Sequence, residues 1–278
     1  MGQRRRARQF WRMLERGHYL PPVGPPEVVA EVIAAMKRCL EMTSLPLAEV
    51  HQMRKMHAKA ACAATQVDDA GKSSRNERLV RMMRQVAVCT GPNFKDHLRA
   101  HVLASPHFPM LLMLIRGFIH EHVLPYIARR LGERSFAVQC HPSMRFNLPG
   151  SSALGARAED SDEMIGLHTD AEYGHQGGEM NFMLALTDVF GSNGLFVESE
   201  PGRGDFMEVQ MERGRIFSFG GVSRRHHNKR NNTGVSRVSL DFRVIPMTLY
   251  DASLDHERKT TRAHRFTLGE YFELVHVD

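Results

Sequence analysis

The feature that most restricts the fold is a series of short β-rich segments between Ser135 and Pro246, separated by Gly, Asn and Pro residues. About eight such segments with turn residues between them are typical of a two-sheet β-structure such as a jelly roll. We predict strands over 136–147, 164–169, 181–187, 195–198, 206–211, 215–219, 226–228 and 235–245. The polar stretch 151–162 is long enough to form a lid between the first two strands.

The part of the chain before Ser135 has a different pattern. From 26 to 66 apolar residues recur every three or four positions, as one face of a helix requires, and a second helix is predicted to begin near Ser44. A short amphipathic helix is predicted over 79–88 and a long apolar helix over 108–131. The spacing of Thr267 and Glu270 is that of a capping box and predicts a short C-terminal helix.

These patterns predict an α+β protein. Its core is a double-stranded β-helix of the jelly-roll or cupin-like type, spanning 135–278, with a helical region, 1–134, packed on it.

Composition limits the setting of the protein. The chain has 278 residues and a net charge of +6, so a solvated basic surface is expected and nucleic acid is not the expected partner. The four cysteines are far apart and form no C-x-x-C pair, which favours a reducing, intracellular and hence cytoplasmic location.

Two segments bear on targeting and membranes. The first 20 residues are rich in Arg, with Glu15 as their only acid, which favours a basic helix or frayed tail over an organelle transit peptide. The apolar run 108–119 carries Arg116 and is too short to span a bilayer, so no membrane partner is expected.

Candidate metal ligands lie in two of the predicted strands. His168 and Asp170 are two residues apart, so they would share one face of a strand and could bind one metal ion together. His226 and His227 offer a third ligand, but neighbouring strand residues face opposite sides, so only one of them can contribute. We predict His226, with His227 as the alternative.

The last strand alternates between two kinds of residue. Arg237, Ser239 and Arg243 share one face with Asp241, while the residues between them are apolar. We expect the apolar face to pack on helices and the polar face to line the mouth of the barrel. An Arg there could bind a carboxylate through two parallel hydrogen bonds, with Ser239 as a further donor, and Arg243 competes with Arg237 for this role.

Other polar residues are candidates for the same site. Asn181 could bind a cosubstrate or instead be a buried Asn satisfied by backbone groups. Tyr173 and His175 could line the substrate mouth, although His175 fits an ordinary loop histidine equally well. Arg145, near the end of the first strand, could reach the pocket.

The block from Gln139 to Pro246 resembles the Fe(II)/2-oxoglutarate oxygenases of the streptomycin biosynthesis protein G type, relatives of the phytanoyl-CoA dioxygenase group. The matching words are HTDAEYGH at 168–175, GEMNF at 178–182, VESEPGRGDF at 197–206 and TGVSRVSLDFRV at 233–244. The resemblance covers under half of the chain.

The resemblance implies a double-stranded β-helix with His168, Asp170 and His226 on Fe(II) and Arg237 on 2-oxoglutarate. It implies a dioxygenase that uses O2, releases succinate and CO2, and hydroxylates a small molecule. Because Asp170 is present, where halogenating relatives lack the carboxylate, hydroxylation is favoured over halogenation.

Three alternatives remain. Arg237 to Arg243 also resembles the paired-Arg strand of demethylases acting on alkylated nucleic acid. The second is a cupin-like isomerase or epimerase, which would need no Arg for a dicarboxylate. The third is a catalytically silent binding protein on the same fold.

Overall fold

The computed structural model describes residues 2–42, 44–54, 94–152, 154, 161, 163–256 and 266–278. The helices are α1 (Gly2–Glu15), α2 (Pro26–Cys39), α3 (Phe94–Ala104), α4 (Phe108–Phe118) and α5 (Leu124–Leu131). A π turn, Ile119–Val123, joins α4 to α5, so the predicted helix over 108–131 is confirmed. The predicted helix over 79–88 and most of that beginning near Ser44 lie outside the described residues, and 47–52 within the latter form a 3-10 turn.

The strands form two antiparallel sheets. They are β1 (His18–Tyr19), β2 (Ser135–Gln139), β3 (Ser143–Asn147), β4 (Ile165–His168), β5 (Met180–Ala185), β6 (Leu195–Glu198), β7 (Phe206–Val209), β8 (Ile216–Phe219), β9 (His226–Asn228), β10 (Arg237–Pro246) and β11 (Phe272–His276). The larger sheet has the order β1-β8-β5-β10-β2-β11, with β3 also paired to β10, and the smaller sheet has the order β4-β9-β6-β7.

The helices and the larger sheet share one apolar core. On β10, Val238, Leu240, Phe242 and Val244 belong to the same buried cluster as residues of α1, α2, α4 and α5. Phe242 stacks on Phe182 of β5 with 5.3 Å between ring centroids. The predicted packing of the apolar face of this strand on helices is therefore confirmed.

A second cluster joins the two sheets. Met183 and Phe219 from the larger sheet pack with Leu195 and Val209 from the smaller one. Because each sheet buries an inner face against the other, the opposite polar face of β10 is turned toward the space between them.

The C-terminal helix prediction is wrong, since 272–276 form strand β11 on the edge of the larger sheet beside β2. Gly269 has φ +87°, in the left-handed region, and turns the chain so that its amide bonds the Phe272 carbonyl. Phe272 is fully buried while Leu274 is 49% exposed, the alternation of a half-buried strand.

Two further differences concern strand limits. The predicted strand over 136–147 is two strands, β2 and β3, which both pair with β10. Pro142 lies in the break, and proline lacks the amide hydrogen that a continuous ladder needs. Strand β1, which pairs with β8, has only two residues and was not predicted.

One helix of the described part, Phe108–Leu131, is long and apolar enough to cross a bilayer by length and composition. The prediction that no membrane span is present rested on the apolar run 108–119, which is only the first half of this helix. Its inner residues, including Leu111, Phe118 and Leu124, are buried in the helix-and-sheet core.

The described cysteines, Cys39 and Cys140, are free, and the other two lie outside the described residues. Most of the predicted lid over 151–162 also lies outside them.

Candidate metal centre

Three side chains converge between the sheets. His168 ends β4 and His226 begins β9, and the two residues stand opposite each other in the antiparallel pair. Their Nε2 atoms lie 3.7 and 3.8 Å from Oδ1 of Asp170. All three side chains are buried, and one potential ligand atom from each lies within 4.8 Å of the others.

The sequence predicted that His168 and Asp170 meet because they share one face of a strand, but the structure shows a different cause. Asp170 is not a strand residue but the first residue of a 3-10 turn, Asp170–Tyr173, capped by Thr169 and Glu172. The backbone amide of Asp170 donates to the carbonyl of Gly221, which precedes β9. The turn and this long-range bond, and not strand alternation, therefore place the carboxylate beside the two imidazoles.

Both histidines present the same ring nitrogen to the centre. Nδ1 of His168 lies 2.6 Å from the Gly166 carbonyl, and Nδ1 of His226 lies 3.0 Å from the Arg224 carbonyl. A carbonyl can only accept, so Nδ1 carries the hydrogen and the Nε2 lone pair is left for a metal. Burial, followed by the charge of His226, lowers the pKa of His168 to about 4, so this ligand is neutral at pH 7.

The carboxylate of Asp170 is ionised. Burial raises its pKa, but Arg243, His226, His175 and a hydrogen bond from Asn181 together hold it well below the usual value. Asn181 Nδ2 donates to Oδ2 at 2.5 Å, and Arg243 Nη2 lies 3.2 Å from the same oxygen. Oδ1 is thus the oxygen that faces the two histidines.

Gly221 closes one side of this carboxylate. A Cβ atom at this position would come within 2.6 Å of Asp170 Oδ2 and closer still to Asn181 Nδ2. Since both groups are buried and bonded to each other, neither has room to move aside. Gly221 is not among the predicted site residues, and its only signal in the sequence is the Gly-Gly pair at 220–221.

We therefore expect Gly221→Ala to displace Asp170 and weaken Ni²⁺ binding by about ten- to a hundredfold, the usual effect of disturbing groups that hold a metal ligand. Isothermal titration of the metal-free protein measures this. Gly177→Ala is the control, because a Cβ there meets nothing within 4 Å. Equal Ni²⁺ affinity in wild type and Gly221→Ala would contradict the proposed steric role.

His227 points away from the centre. Its ring is stacked on Phe196 at 5.2 Å and meets the edge of Phe206 at 4.7 Å. The structure therefore places His226, not His227, in the cluster.

The basic residues around His226 have structural partners. Arg225 pairs with the buried Glu198, and Arg224 Nη1 donates to the Glu198 carbonyl at 2.6 Å. Burial raises the pKa of Glu198, but hydrogen bonds from Arg225 and from backbone amides together outweigh it and lower this pKa to about 2. Lys229 Nζ lies 2.6 Å from Glu163.

Arg237 lines the same cleft but has no such pairing. It is 2% exposed, and its Nε and Nη1 atoms have no hydrogen-bond partner among the described residues. The Ser239 hydroxyl is also buried and likewise has no hydrogen-bond partner among the described residues. Burial lowers the pKa of Arg237 to about 10, which still leaves it charged at neutral pH. A buried, unmatched guanidinium is costly, so this position suits an anionic ligand.

Arg243 differs in having an acceptor near each of its nitrogens, although its Nε makes no hydrogen bond. Besides Asp170, it contacts Glu179 through Nε at 3.5 Å and the Tyr271 hydroxyl through Nη1 at 3.1 Å. It lines the cleft beside the metal ligands, but its charge is already matched by two carboxylates. Arg243 thus already has two carboxylates beside it, whereas Nε and Nη1 of Arg237 have no partner among the described residues.

Of the remaining predicted site residues, one lines the cleft, one lies at its rim and one is buried away from it. Arg145 lines the cleft, where its Nε bonds Asp241 at 2.8 Å. Tyr173 is 41% exposed with its ring 5.0 Å from that of His168, at the rim. His175 is not at the mouth, because it is buried against Phe266 and bonded to Glu179 at 2.7 Å.

The cleft that contains these groups encloses about 480 Å³, counting space open to solvent. Carboxylate and imidazole donors on one side and an unpaired guanidinium on the other suit a divalent metal with a carboxylate-bearing ligand.

Comparisons with known proteins agree with the resemblance seen in the sequence. Over 152 residues the chain is 34% identical to the streptomycin biosynthesis protein StrG of Streptomyces griseus, a match that spans 54% of this chain and 66% of that protein. No protein-family model matches the sequence.

Solved structures with a related arrangement include two from nogalamycin biosynthesis. The α-ketoglutarate-dependent epimerase SnoN is 16% identical, with a TM-score of 0.46 and 98% of each chain covered. The α-ketoglutarate-dependent carbocyclase SnoK is 13% identical, with a TM-score of 0.43, covering 87% of this chain and 83% of its own.

Proposed function

We propose that the protein is a non-haem Fe(II)- and 2-oxoglutarate-dependent oxygenase with a double-stranded β-helix core that hydroxylates a small molecule. The observation that carries the proposal is the pairing, in one cleft, of the His168–Asp170–His226 cluster with the unpaired guanidinium of Arg237. The similarity to StrG, named for streptomycin biosynthesis, supports a small-molecule substrate.

Different side chains of the cleft would bind the metal and the cosubstrate. His168, Asp170 and His226 would hold Fe(II) on one face and leave positions for the cosubstrate and oxygen. Arg237, with Ser239 beside it, would bind the far carboxylate of 2-oxoglutarate. When bound, the iron and 2-oxoglutarate supply the oxidising chemistry, with succinate and CO2 as by-products.

The cleft also keeps its charges balanced. Its described charged groups are three arginines, Arg145, Arg237 and Arg243, and three carboxylates, Asp170 and Asp241 in the wall and Glu179 behind it. Their formal charges sum to zero although Arg237 has no ion-pair partner among them. A dication and a dicarboxylate together add no net charge. The filled site would therefore accept a substrate without requiring it to be charged, which is consistent with a small neutral or weakly charged metabolite.

The test is turnover by Fe(II)-loaded protein supplied with 2-oxoglutarate, O2 and a small-molecule extract of the cells that make it. We expect succinate formation above that of Asp170→Ala, and products heavier than their precursors by one oxygen atom. Succinate at the level of Asp170→Ala in every extract would reject the proposal. Turnover stimulated only by alkylated oligonucleotide would assign the site to nucleic-acid demethylation instead.

A further inference from the structure

Behind the proposed iron ligand Asp170 lies a chain of buried and partly buried polar groups. It runs from Asp170 to Arg243 on β10, and from there to Glu179 before β5 and to Tyr271 before β11. These groups come from three separate parts of the sequence.

Each nitrogen of Arg243 lies near a different group, with Nε in an ion pair that is not a hydrogen bond. Nη2 lies 3.2 Å from Asp170, Nη1 donates to the Tyr271 hydroxyl at 3.1 Å, and Nε lies 3.5 Å from Glu179. Its side chain is almost fully buried, and a planar guanidinium cannot turn without breaking several of these contacts together. Arg243 is therefore fixed with Nη2 aimed at Oδ2 of Asp170.

Glu179 is itself fixed. Its carboxylate has no exposed surface, and it accepts hydrogen bonds from the Gln176 amide at 3.0 Å and from His175 Nδ1 at 2.7 Å. The ring of His175 packs on Phe266, 4.0 Å away, which in turn meets Tyr271 edge-on at 4.7 Å. The C-terminal segment 266–278 thus closes the back of this chain of contacts.

The two carboxylate oxygens of Asp170 therefore have different surroundings. Oδ2 is occupied by Asn181 and Arg243 and covered by Gly221, whereas Oδ1 faces the two histidines. A carboxylate free to turn could chelate a metal through both oxygens and take up a position that a bidentate cosubstrate needs. Holding Oδ2 prevents this.

We propose that Glu179 and Tyr271 are positioning residues of the metal centre, which act through Arg243 to present only Oδ1 of Asp170 to the metal. The C-terminal segment is then part of the site, although it supplies no ligand. This inference rests on the proposed metal-binding function of Asp170.

The test compares Tyr271→Phe with Tyr250→Phe. Each change removes one phenolic hydroxyl from the same C-terminal cluster; Tyr250 bonds the Leu268 amide and Tyr271 bonds Arg243. Both variants should lose similar thermal stability. Only Tyr271→Phe should weaken Ni²⁺ binding by isothermal titration, on the order of tenfold, and alter the visible spectrum of bound Co²⁺.

Glu179→Gln should have the larger effect, about ten- to a hundredfold on the Ni²⁺ dissociation constant, because it frees Arg243 to turn. If this variant does not fold, Tyr271→Phe alone decides the matter. Lower melting temperatures with wild-type Ni²⁺ affinity and Co²⁺ spectrum would show a purely structural role and overturn the proposal.

The two proposals can fail separately. Wild-type protein that binds Ni²⁺ but forms no succinate would reject the oxygenase function and leave the positioning role standing. Normal succinate formation in wild type, with unchanged metal binding in Tyr271→Phe and Glu179→Gln, would reject the positioning role alone.

Discussion

His226→Ala should lose the metal, whereas His227→Ala should keep it. The two residues are neighbours in the sequence, but His226 Nε2 lies 3.8 Å from Asp170 and the His227 ring is held between Phe196 and Phe206. Removing a direct ligand should weaken Ni²⁺ binding by more than the roughly 10–100-fold that loss of a supporting group costs. Succinate formation should fall to background in the same variant.

His227→Ala should instead lower stability, because it removes a buried ring from between two phenylalanines. We expect a loss of about 1–3 kcal/mol in the free energy of unfolding, measured by denaturant titration of the metal-free protein. His227→Phe keeps the ring and serves as the variant to use if His227→Ala fails to fold. Loss of Ni²⁺ from His227→Phe together with retention by His226→Ala would move the site by one residue.

Arg237→Lys should raise the KM for 2-oxoglutarate by about ten- to a hundredfold, since a hydrogen bond to a charged group contributes about 1.5–3 kcal/mol. Lysine keeps the charge but loses the two parallel donors. The interaction would be made in ground state and transition state alike, so kcat should change little. Steady-state titration of 2-oxoglutarate at saturating Fe(II) measures both constants.

Arg243→Lys is the matched comparison on the same strand face. Arg243 already contacts Asp170, Glu179 and Tyr271, so its replacement should weaken metal binding. The KM for 2-oxoglutarate should stay near the wild-type value once Fe(II) is saturating. A larger KM effect at Arg243 than at Arg237 would transfer the cosubstrate role to Arg243. It would also strengthen the alternative of a paired-Arg demethylase.

Much of the site could be predicted because it depends on local spacing. Alternation along β10 put Arg237, Asp241 and Arg243 on one face and the apolar residues on the other, and the structure keeps that division. Strand alternation also separated His226 from His227. These relations hold for any extended segment, whatever it packs against.

The tertiary structure decided what depends on distant partners. Arg243 already has acceptors beside it because Glu179 and Tyr271 reach it, and no local pattern connects these two residues to β10. The need for glycine at 221 arises from Asp170 and Asn181, 51 and 40 residues away. The C-terminal segment has a capping-box spacing, which gives only a local preference for a helix. Pairing with the open edge of β2 outweighs this preference, because the strand ladder satisfies the backbone of β11 and buries Phe272.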